Sequence, residues 1–388
     1  MLRYFTAGES HGEALVAFLS GLPAGLKVDQ AFLDRELWRR QQGYGRGGRM
    51  KIERDTAHIL SGVRHGMTIG SPISVQLENR DWKNWQESLP VAEGDPARHK
   101  RVASPRPGHA DLAGALKYNF PEARYVLERA SARESAARVA IGALTKLFLR
   151  ELGIEVLSHV VAVGAEALPQ EVPWERIQAL YSQEEILLNC ADRETEQRMK
   201  GEVDKVLKTG DSVGGVFEVV ARGVPPGLGT YAQWDERLDA LLAGAVMSLQ
   251  AVKAVEFGTG VANAVAPGSA VQDEIRYDAA RHRFAHLSNR AGGLEGGITN
   301  GEDIVVRGYL KPISTLRRPL ETSDLVTKET VKAAYERSDV CVVPAAGVAG
   351  ESMIALVLAQ ALIEKFGGDS LGEMRRNFDG YQRQLDAF

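Results

Sequence analysis

The fold of this chain is organised around ten residues, Arg129-Ala130-Ser131-Ala132-Arg133-Glu134-Ser135-Ala136-Ala137-Arg138. Ser131 and Glu134 have the S-x-x-E spacing of a capping box, in which each side chain bonds a backbone N–H at the start of a helix. The spacing predicts a helix that begins near Ala132. Residues 139–144 and 147–149 are apolar and cover nearly every face, which is typical of a helix buried inside a large protein.

Two arginines lie at the polar end of this apolar helix. Arg129 and Arg133 stand beside the backbone N–H groups of the helix start, where a buried positive charge is costly unless an anion neutralises it. The partner can be a bound anion, or an Asp or Glu from another segment, since most buried charges are paired. The sequence leaves both interpretations open.

The composition predicts a soluble chain with no general affinity for polyanions or membranes. The 388 residues are 44% hydrophobic with a net charge of −4, so we expect neither a nucleic-acid binder nor a membrane-surface binder. Cys190 and Cys341 form no CxxC pair, which predicts no metal site and fits a reducing cytoplasm. The N-terminus has no apolar run typical of a signal peptide. The most apolar region, 340–363, is interrupted by Pro344 and by glycines, so we predict no transmembrane span.

A glycine-flanked loop places a histidine between two predicted strands. Residues 3–7 and 14–19 have strand patterns, and the loop between them carries His11. A histidine in such a loop can face a pocket and exchange a proton near neutral pH. It can equally be an exposed loop residue.

An arginine-rich loop follows the helix predicted over 29–42. Gly43, Gly45 and Gly48 match G-x-G-x-x-G, but the segment follows a helix instead of a strand, so we reject a dinucleotide site. Arg46 and Arg49 lie beside Arg39 and Arg40. They form either a solvated basic surface or a clamp for phosphate and carboxylate groups. Single-stranded RNA is a further candidate ligand for an Arg-Gly segment, although the acidic protein argues against it.

A polar segment over 79–103 lies between two strand-like regions, at 57–63 and 73–78, and a loop that two prolines make rigid. Loops of this length are usually lids or locally disordered segments. The segment ends in Ser104-Pro105-Arg106-Pro107-Gly108-His109-Ala110-Asp111. Its prolines fix the backbone around an arginine and a histidine, which favours a ligand site or an ordinary proline turn.

The second half of the chain alternates strands, apolar helices and glycine-rich loops. We predict strands within 154–163, 212–224 and 303–310, a polar helical region over 169–210, and apolar helices at 238–249 and 352–362. Lys311-Pro312-Ile313-Ser314-Thr315 follows the last strand with groups that suit a phosphate. Asp339, beside Arg337, is either one half of an ion pair or a carboxylate available as a base.

Six motifs, taken together and in this order, resemble those of the chorismate synthase family. They are Gly8 to Gly12, Arg106 to Asp111, Arg129 to Arg138, Gly292 to Gly301, Lys311 to Thr315, and Arg337 to Asp339. The resemblance spans nearly the whole chain, though residues 79–103 and 169–210 carry little of it. It implies an α+β fold, a β-α-β sandwich with apolar helices packed between antiparallel sheets, and a homotetramer. The sequence shows no clear internal repeat or linker, so we expect one domain over 1–388, and we expect a cytoplasmic location from the two cysteines.

The family converts 5-enolpyruvylshikimate 3-phosphate to chorismate and phosphate by 1,4-anti elimination, with reduced FMN. By resemblance, His11, His109 and Asp339 are catalytic. His11 protonates the departing phosphate, His109 lies near the flavin N1 and C2 oxygen and stabilises the reduced form, and Asp339 helps flavin N5 to take up the ring hydrogen. The anionic substrate groups are held by Arg40, Arg46, Arg49, Arg106, Ser131, Arg133 and Arg337. The FMN residues are Arg129, Ala130, Ser131, Gln250, Ala251, Gly296, Lys311, Pro312, Ile313, Ser314, Thr315 and Arg337. NADPH is a candidate electron source, with Arg40 and Arg46 as candidate contacts.

Overall fold

The computed structural model describes residues 1–47, 54–279, 282–336 and 339–388. Within these ranges the strands are β1 Arg3–Ala7, β2 Ala14–Ser20, β3 His58–Ser61, β4 Val63–Arg64, β5 Met67–Thr68, β6 Ile73–Glu78, β7 Glu155–Val163, β8 Glu166–Ala167, β9 Gly215–Arg222, β10 Val252–Phe257, β11 Ile275–Asp278, β12 Arg283–His286, β13 Leu294–Glu295, β14 Ile298–Thr299, β15 Ile304–Leu310, β16 Glu321–Ser323 and β17 Thr330–Lys332. The helices are α1 Gln30–Gln41, α2 Asp111–Tyr118, α3 Arg124–Ala130, α4 Ser135–Arg150, α5 Trp174–Tyr181, α6 Arg193–Thr209, α7 Leu238–Met247, α8 Gly260–Asn263, α9 Gly268–Val271, α10 Val343–Phe366 and α11 Leu371–Asp386.

The first sheet is four-stranded and antiparallel, with the order β1-β2-β6-β3. In β2, Leu15 and Leu19 are buried, whereas Phe18 is 46% exposed. Phe5 of β1 lies directly opposite Phe18 and is also exposed. One face of this sheet therefore packs on the core, and the other carries exposed aromatic side chains.

The second sheet is five-stranded, with the order β10-β15-β9-β7-β8 and antiparallel neighbours throughout. Phe217 of β9 is fully buried and lies over Gly308 of β15 and Gly350 of α10. A Cβ on either glycine would come within 2.3 Å and 2.6 Å, respectively, of the Phe217 ring. These glycines let the helix pack closely on the sheet.

Helices α4 and α10 connect the two sheets. Helix α4 contacts β2 and β6, α10 contacts β7 and β9, and the two helices contact each other. At their crossing, a Cβ on Gly142 would lie 2.2 Å from the Ser352 Cβ. The buried apolar residues form a continuous core from the first sheet through these helices to the second.

A cluster of buried charges ties α1 to α4 and α10. Arg39 donates to Glu351 through both terminal nitrogens at 2.7 Å, and Lys146 lies 2.7 Å from Glu36 and 2.5 Å from Glu351. All four side chains are at most 2% exposed. Arg39 is therefore part of the core and does not line the cavity at the start of α4, so it belongs neither to a solvated basic surface nor to a phosphate clamp, and including it in either was wrong.

The start of α4 differs from the capping-box prediction. Residues 132–134 form a 3₁₀ turn, and the α-helix begins at Ser135. The Ser131 hydroxyl accepts the Arg133 N–H at 3.3 Å, as expected for an N-cap. The Glu134 carboxylate instead accepts hydrogen bonds from Thr6, Arg138 and Gln250. Two distant residues, Thr6 and Gln250, and Arg138 in the next turn of α4 therefore bind the carboxylate that the spacing assigns to the helix start.

Two other helices also differ from their predictions. Helix α10 begins at Val343, nine residues before the predicted start at 352, because Pro344 occupies the first turn, where no N–H is required. By length and mean hydropathy α10 could cross a membrane, but 83% of its most apolar window is buried inside the protein. Helix α7 is buried on one side only, since Leu241 and Met247 are 40% and 45% exposed.

Candidate active site

A cavity of about 630 Å³ opens where the start of α4, the end of β15 and the start of α10 meet. Its volume lies in the usual range of small-molecule sites. The sequence-predicted residues that line it are His11, Arg40, Arg46, Arg106, His109, Ala130, Ser131, Arg133, Gln250, Ala251, Lys311, Ile313, Ser314, Thr315 and Asp339. Residues hundreds of positions apart in the chain are thus brought to one site.

Other predicted residues lie away from the lining of this cavity. The Arg129 guanidinium points to β1, where it donates to the Thr6 and Gly8 carbonyls. Gly296 belongs to the hairpin that meets the start of α7, where Leu238 N–H donates to the Gly297 carbonyl. The ten residues of α7, about 15 Å, separate that hairpin from Gln250. Pro312 lies between lining residues without lining the cavity itself. Arg49 and Arg337 fall outside the described residues.

Two cavity arginines share one buried carboxylate. Arg133 Nη1 lies 2.6 Å from Asp55 Oδ2, and Arg40 Nη1 lies 3.8 Å from the same oxygen. Arg40 also donates to Ser135 Oγ at 2.9 Å and to the Ala132 carbonyl. Arg133 therefore pairs with an acid, as one of the two interpretations predicts, and it also lines the cavity, where a bound anion stays a prediction. The pairing fixes both guanidinium groups before a ligand binds. Arg129 is 45% exposed, so the expectation that it is a buried charge is wrong.

The Pro-Gly loop holds a third arginine, Arg106, and a histidine around Asp111. Arg106 donates to Asp111 at 2.8 Å and to Thr315 Oγ1 at 2.9 Å. His109 Nδ1 lies 2.5 Å from Asp111 Oδ1. Burial raises the pKa of Asp111, but hydrogen bonds from His109 and Arg106 outweigh burial and hold that pKa well below its ordinary value. An ionised carboxylate thus lies behind His109.

His11, in the loop between β1 and β2, is likewise held by a carboxylate, that of Glu128. Its Nδ1 lies 2.9 Å and 3.0 Å from the two oxygens of Glu128, and its backbone N–H donates to Glu128 Oε2 at 2.8 Å. The Trp85 ring stacks on the imidazole, with centroids 3.9 Å apart. Burial raises the pKa of Glu128, whereas the His11 hydrogen bond and the Arg124 charge lower it, and the net shift is downward.

The end of β15 and the segment after α7 complete the wall. Lys311 Nζ donates to the Gly108 carbonyl, and its backbone N–H donates to the Ala251 carbonyl at 3.0 Å. Ala251 adopts a φ of 70°, the left-handed region that is costly for a residue with a Cβ. Gln250 donates to Glu134 at 3.1 Å. The wall is thus held by contacts between distant segments.

Asp339 pairs with Arg46 at this site. Arg46 Nη1 lies 3.2 Å from Asp339 Oδ2, and the Gly47 N–H donates to Asp339 Oδ1 at 2.6 Å. The glycine-rich loop is thereby connected to the segment before α10. The carboxylate is an ion-pair partner in this state, and its side chain is 20% exposed.

Positive charge predominates among the side chains that line the cavity. Among the described residues six Lys or Arg and three Asp or Glu line it: Arg40, Arg46, Lys100, Arg106, Arg133 and Lys311, against Asp81, Glu336 and Asp339. Such a set suits a ligand with several anionic groups. No group of three or more His, Cys, Asp or Glu within the described ranges could hold a metal ion.

Sequence reasoning missed several residues of the site. Glu128 contacts His11, which is 117 positions away in the chain, and Asp55 contacts Arg133, which is 78 positions away. No local sequence pattern marks such pairs. Trp85 and Lys100 lie in the segment 79–103, whose length was the only signal that it carries function. Asp111 stood inside a quoted motif without an assigned role.

A cavity lined by six cations and two carboxylate-backed histidines is typical of an enzyme site that can bind a polyanionic small molecule and exchange protons with it. The family model described as chorismate synthase matches residues 2–363. The chain belongs to the chorismate synthase family, lyases that catalyse the last common step of the shikimate pathway.

Known chorismate synthases are similar to this chain over their full lengths. Chorismate synthases of Koribacter versatilis and Geobacter sulfurreducens are 69% and 55% identical to it, and the alignments cover 100% of each chain. A solved structure described as a crystal structure of chorismate synthase is 40% identical, with a TM-score of 0.80, and covers 100% of this chain and 99% of its own.

Proposed function

We propose that this cavity converts 5-enolpyruvylshikimate 3-phosphate to chorismate and phosphate by a 1,4-anti elimination that depends on reduced FMN. In this reaction the C–O bond to the phosphate breaks, a ring hydrogen leaves, and a new ring double bond forms. The observation that carries the proposal is the convergence of Arg40, Arg106, Arg133 and Lys311 on one cavity that also contains His11 and His109.

The cations match the charges of the substrate. The substrate has two carboxylates and one phosphate, and a charge-assisted hydrogen bond to each contributes about 1.5–3 kcal/mol. Arg40, Arg46, Arg106 and Arg133 supply these bonds from the described part of the chain, with Ser131 at the helix start. Arg49 and Arg337 complete the proposed set from outside the described residues.

Protons are handled by the two histidines and Asp339. His11 donates a proton to the departing phosphate, and the negative charge of Glu128 stabilises its protonated form. His109, which lines the cavity and is backed by Asp111, would stabilise negative charge on reduced FMN. Asp339 assists removal of the ring hydrogen.

The wall between Gln250 and Thr315 fits a phosphate-bearing cofactor. Lys311, Ser314, Thr315 and Gln250 present an ammonium, two hydroxyls and an amide at the same cavity, donors that suit a flavin phosphate and ring edges. Ala130, Ser131, Ala251 and Ile313 line the same wall. Reduced FMN, when bound, would lend electron density that helps to break the C–O bond and would then regain that electron density, so the reaction has no net oxidation. Arg129, Pro312 and Gly296 do not line the cavity, so the cavity does not support their assignment to the FMN site.

The domain organisation, the oligomeric state, the cellular location and the electron source are part of the same proposal. We place residues 1–388 in one domain with a β-α-β sandwich, because one core runs through both sheets and the helices between them. A homotetramer would cover exposed apolar side chains such as Phe5 and Phe18. A cytoplasmic location fits the two unpaired, buried cysteines. NADPH remains a candidate electron source, with Arg40 and Arg46 as its contacts.

Anaerobic turnover tests the proposed function. Purified protein is mixed with 5-enolpyruvylshikimate 3-phosphate and photoreduced FMN, and chorismate absorbance and phosphate release are followed, with oxidised FMN as control. Turnover only with reduced FMN is expected. A parallel reaction with NADPH and oxidised FMN reports whether the protein reduces its own flavin. Folded, flavin-binding protein that forms no chorismate would contradict the proposal.

A further inference from the structure

Glu128 connects His11 to the protein more firmly than any other group described around it. Its carboxylate accepts the His11 backbone N–H at 2.8 Å and lies within 3.0 Å of the imidazole Nδ1 through both oxygens. The Glu128 backbone carbonyl accepts the Ser10 N–H at 3.0 Å. One residue of α3 therefore holds the backbone and the ring of the histidine loop together.

The protonation state of Glu128 decides which histidine nitrogen carries a proton at this contact. Arg124 donates to Glu128 Oε1 at 3.2 Å, and the carboxylate is 2% exposed. Burial raises the pKa of Glu128, but the contacts with His11 and Arg124 outweigh burial and lower that pKa. The carboxylate is therefore ionised and can only accept hydrogen bonds. The Nδ1 atom of His11 must therefore be the donor, and exchange of a proton with a ligand in the cavity falls to Nε2.

Two further contacts restrict the movement of the ring and its loop. Trp85 stacks on the imidazole with an interplanar angle of 25°, and its indole N–H donates to Asp81 at 3.1 Å. Asn79 donates to the Ser10 and Gly12 carbonyls on either side of His11. Trp85 and Asp81 both line the cavity. The ring is thus held at its face, at Nδ1 and through its backbone.

We propose that Glu128 is the positioning residue of His11: it fixes the Nδ1–H form of the neutral ring, directs Nε2 to the cavity and stabilises the imidazolium that gives its proton to the leaving phosphate. In that step the Nε2–H bond breaks, the proton moves to a phosphate oxygen, and His11 becomes neutral with Nδ1–H still bonded to Glu128. The inference rests on the proposed role of His11.

The chain contains a matched control for this pair. Glu122, also on the border of α3, lies 3.0 Å from His99 Nε2 and accepts the backbone N–H groups of Val102 and Arg124. It is 5% exposed, and neither it nor His99 lines the cavity. Glu122→Gln therefore removes the charge of a buried glutamate that contacts a histidine, without touching His11.

The test is a double-mutant cycle on the full chain, measured anaerobically with 5-enolpyruvylshikimate 3-phosphate and reduced FMN. We expect Glu128→Gln to lower kcat by about ten- to a hundredfold, part of what general acid catalysis contributes, with KM changed by less than about twofold. Glu122→Gln leaves kcat within about twofold of the native value. On a His11→Ala background, Glu128→Gln has no further effect on kcat, because it acts through a ring that is absent.

The outcomes separate the two hypotheses. If His11→Ala retains native turnover, the proposed role of His11 fails. If His11→Ala loses turnover but Glu128→Gln behaves like Glu122→Gln, or if the effects of the two site variants simply add, the positioning role of Glu128 is overturned. Should Glu128→Gln not fold, Glu128→Asp, which keeps the charge but shortens the reach, replaces it in the same cycle. Imidazole nitrogen NMR of native protein labelled with ¹⁵N-histidine must also show neutral His11 protonated at Nδ1, and the Nε2–H form would contradict the proposal.

Discussion

Asp55 Oδ2 lies 2.6 Å from Arg133 Nη1, and both side chains are almost completely buried, at 1% and 4% exposed. Arg40 approaches the same carboxylate oxygen at 3.8 Å. Two guanidinium groups that line the cavity thus share one negative charge. The remaining positive charge is available to attract an anionic ligand, and the shared carboxylate keeps the arginines in place when the ligand is absent.

Asp55→Asn should lower the free energy of unfolding by about 3 kcal/mol, because removing one partner of a buried ion pair leaves its charges uncompensated. Inorganic phosphate should stabilise this variant more than the native protein, since an anion in the cavity replaces the lost charge. Urea denaturation with and without phosphate measures both effects. Asp95→Asn, which removes an exposed partner of Arg98, serves as control, and a variant at Asp55 as stable as the native protein would contradict this account.

Asp111 makes stability depend on acidic pH. Its pKa lies below the ordinary value of 3.8 in the folded state, so the unfolded chain binds a proton here before the native protein does. The stabilisation is complete above about pH 5 and is lost as the pH falls through the unfolded and then the folded pKa. We expect the unfolding free energy of the native protein to fall more steeply between pH 5 and pH 2 than that of Asp111→Asn, in denaturant titrations at each pH. Parallel curves would show that the contact with His109 and Arg106 does not lower this pKa.

Glu351 is the centre of the buried charge cluster. Glu351→Gln removes the charge that faces Arg39 and Lys146, and we expect a loss of about 3–5 kcal/mol of stability. Glu364→Gln changes an exposed glutamate on the same helix and should alter stability by less than about 0.5 kcal/mol. Equal urea midpoints for the two variants would show that the cluster does not hold α1, α4 and α10 together.

The crossing of α4 and α10 leaves no room for a methyl group. Gly142→Ala places a Cβ 2.2 Å from the Ser352 Cβ, and we expect overpacking to cost about 1–3 kcal/mol. Gly201→Ala lies in α6 with no atom within 4 Å of the new Cβ, and should stabilise the protein by about 0.5–1 kcal/mol through helix propensity. Thermal unfolding distinguishes the two, and stabilisation by both variants would contradict the observed helix packing.

The sequence predicted local elements better than the contacts that build the site. The strands near 3–7, 14–19 and 73–78 and helix α1 are confirmed, because their periodicity is a property of neighbouring residues. The roles of Glu134 and Arg39 were misjudged, because their partners lie on distant strands and helices. Glu128 was given no role, although it directly precedes the segment Arg129 to Arg138, because only the folded chain brings it to His11.

The catalytic assignments came from the resemblance, and physical reasoning alone supplied anion sites and proton donors. The structure brings most of those residues to one cavity. It leaves Arg129 directed toward β1 and Gly296 beyond the far end of α7. A local motif predicts which residues are unusual, whereas the three-dimensional arrangement decides which of them share a ligand.

The most direct test of the account follows the atoms of the elimination in one experiment. Substrate deuterated at the ring position that loses hydrogen is mixed anaerobically with the protein and reduced FMN, and chorismate, phosphate and lost deuterium are quantified together with flavin absorbance. The account predicts equal amounts of the three, with the flavin still reduced at the end. Phosphate release without chorismate, or flavin oxidised in proportion to product, would contradict a redox-neutral elimination at this cavity.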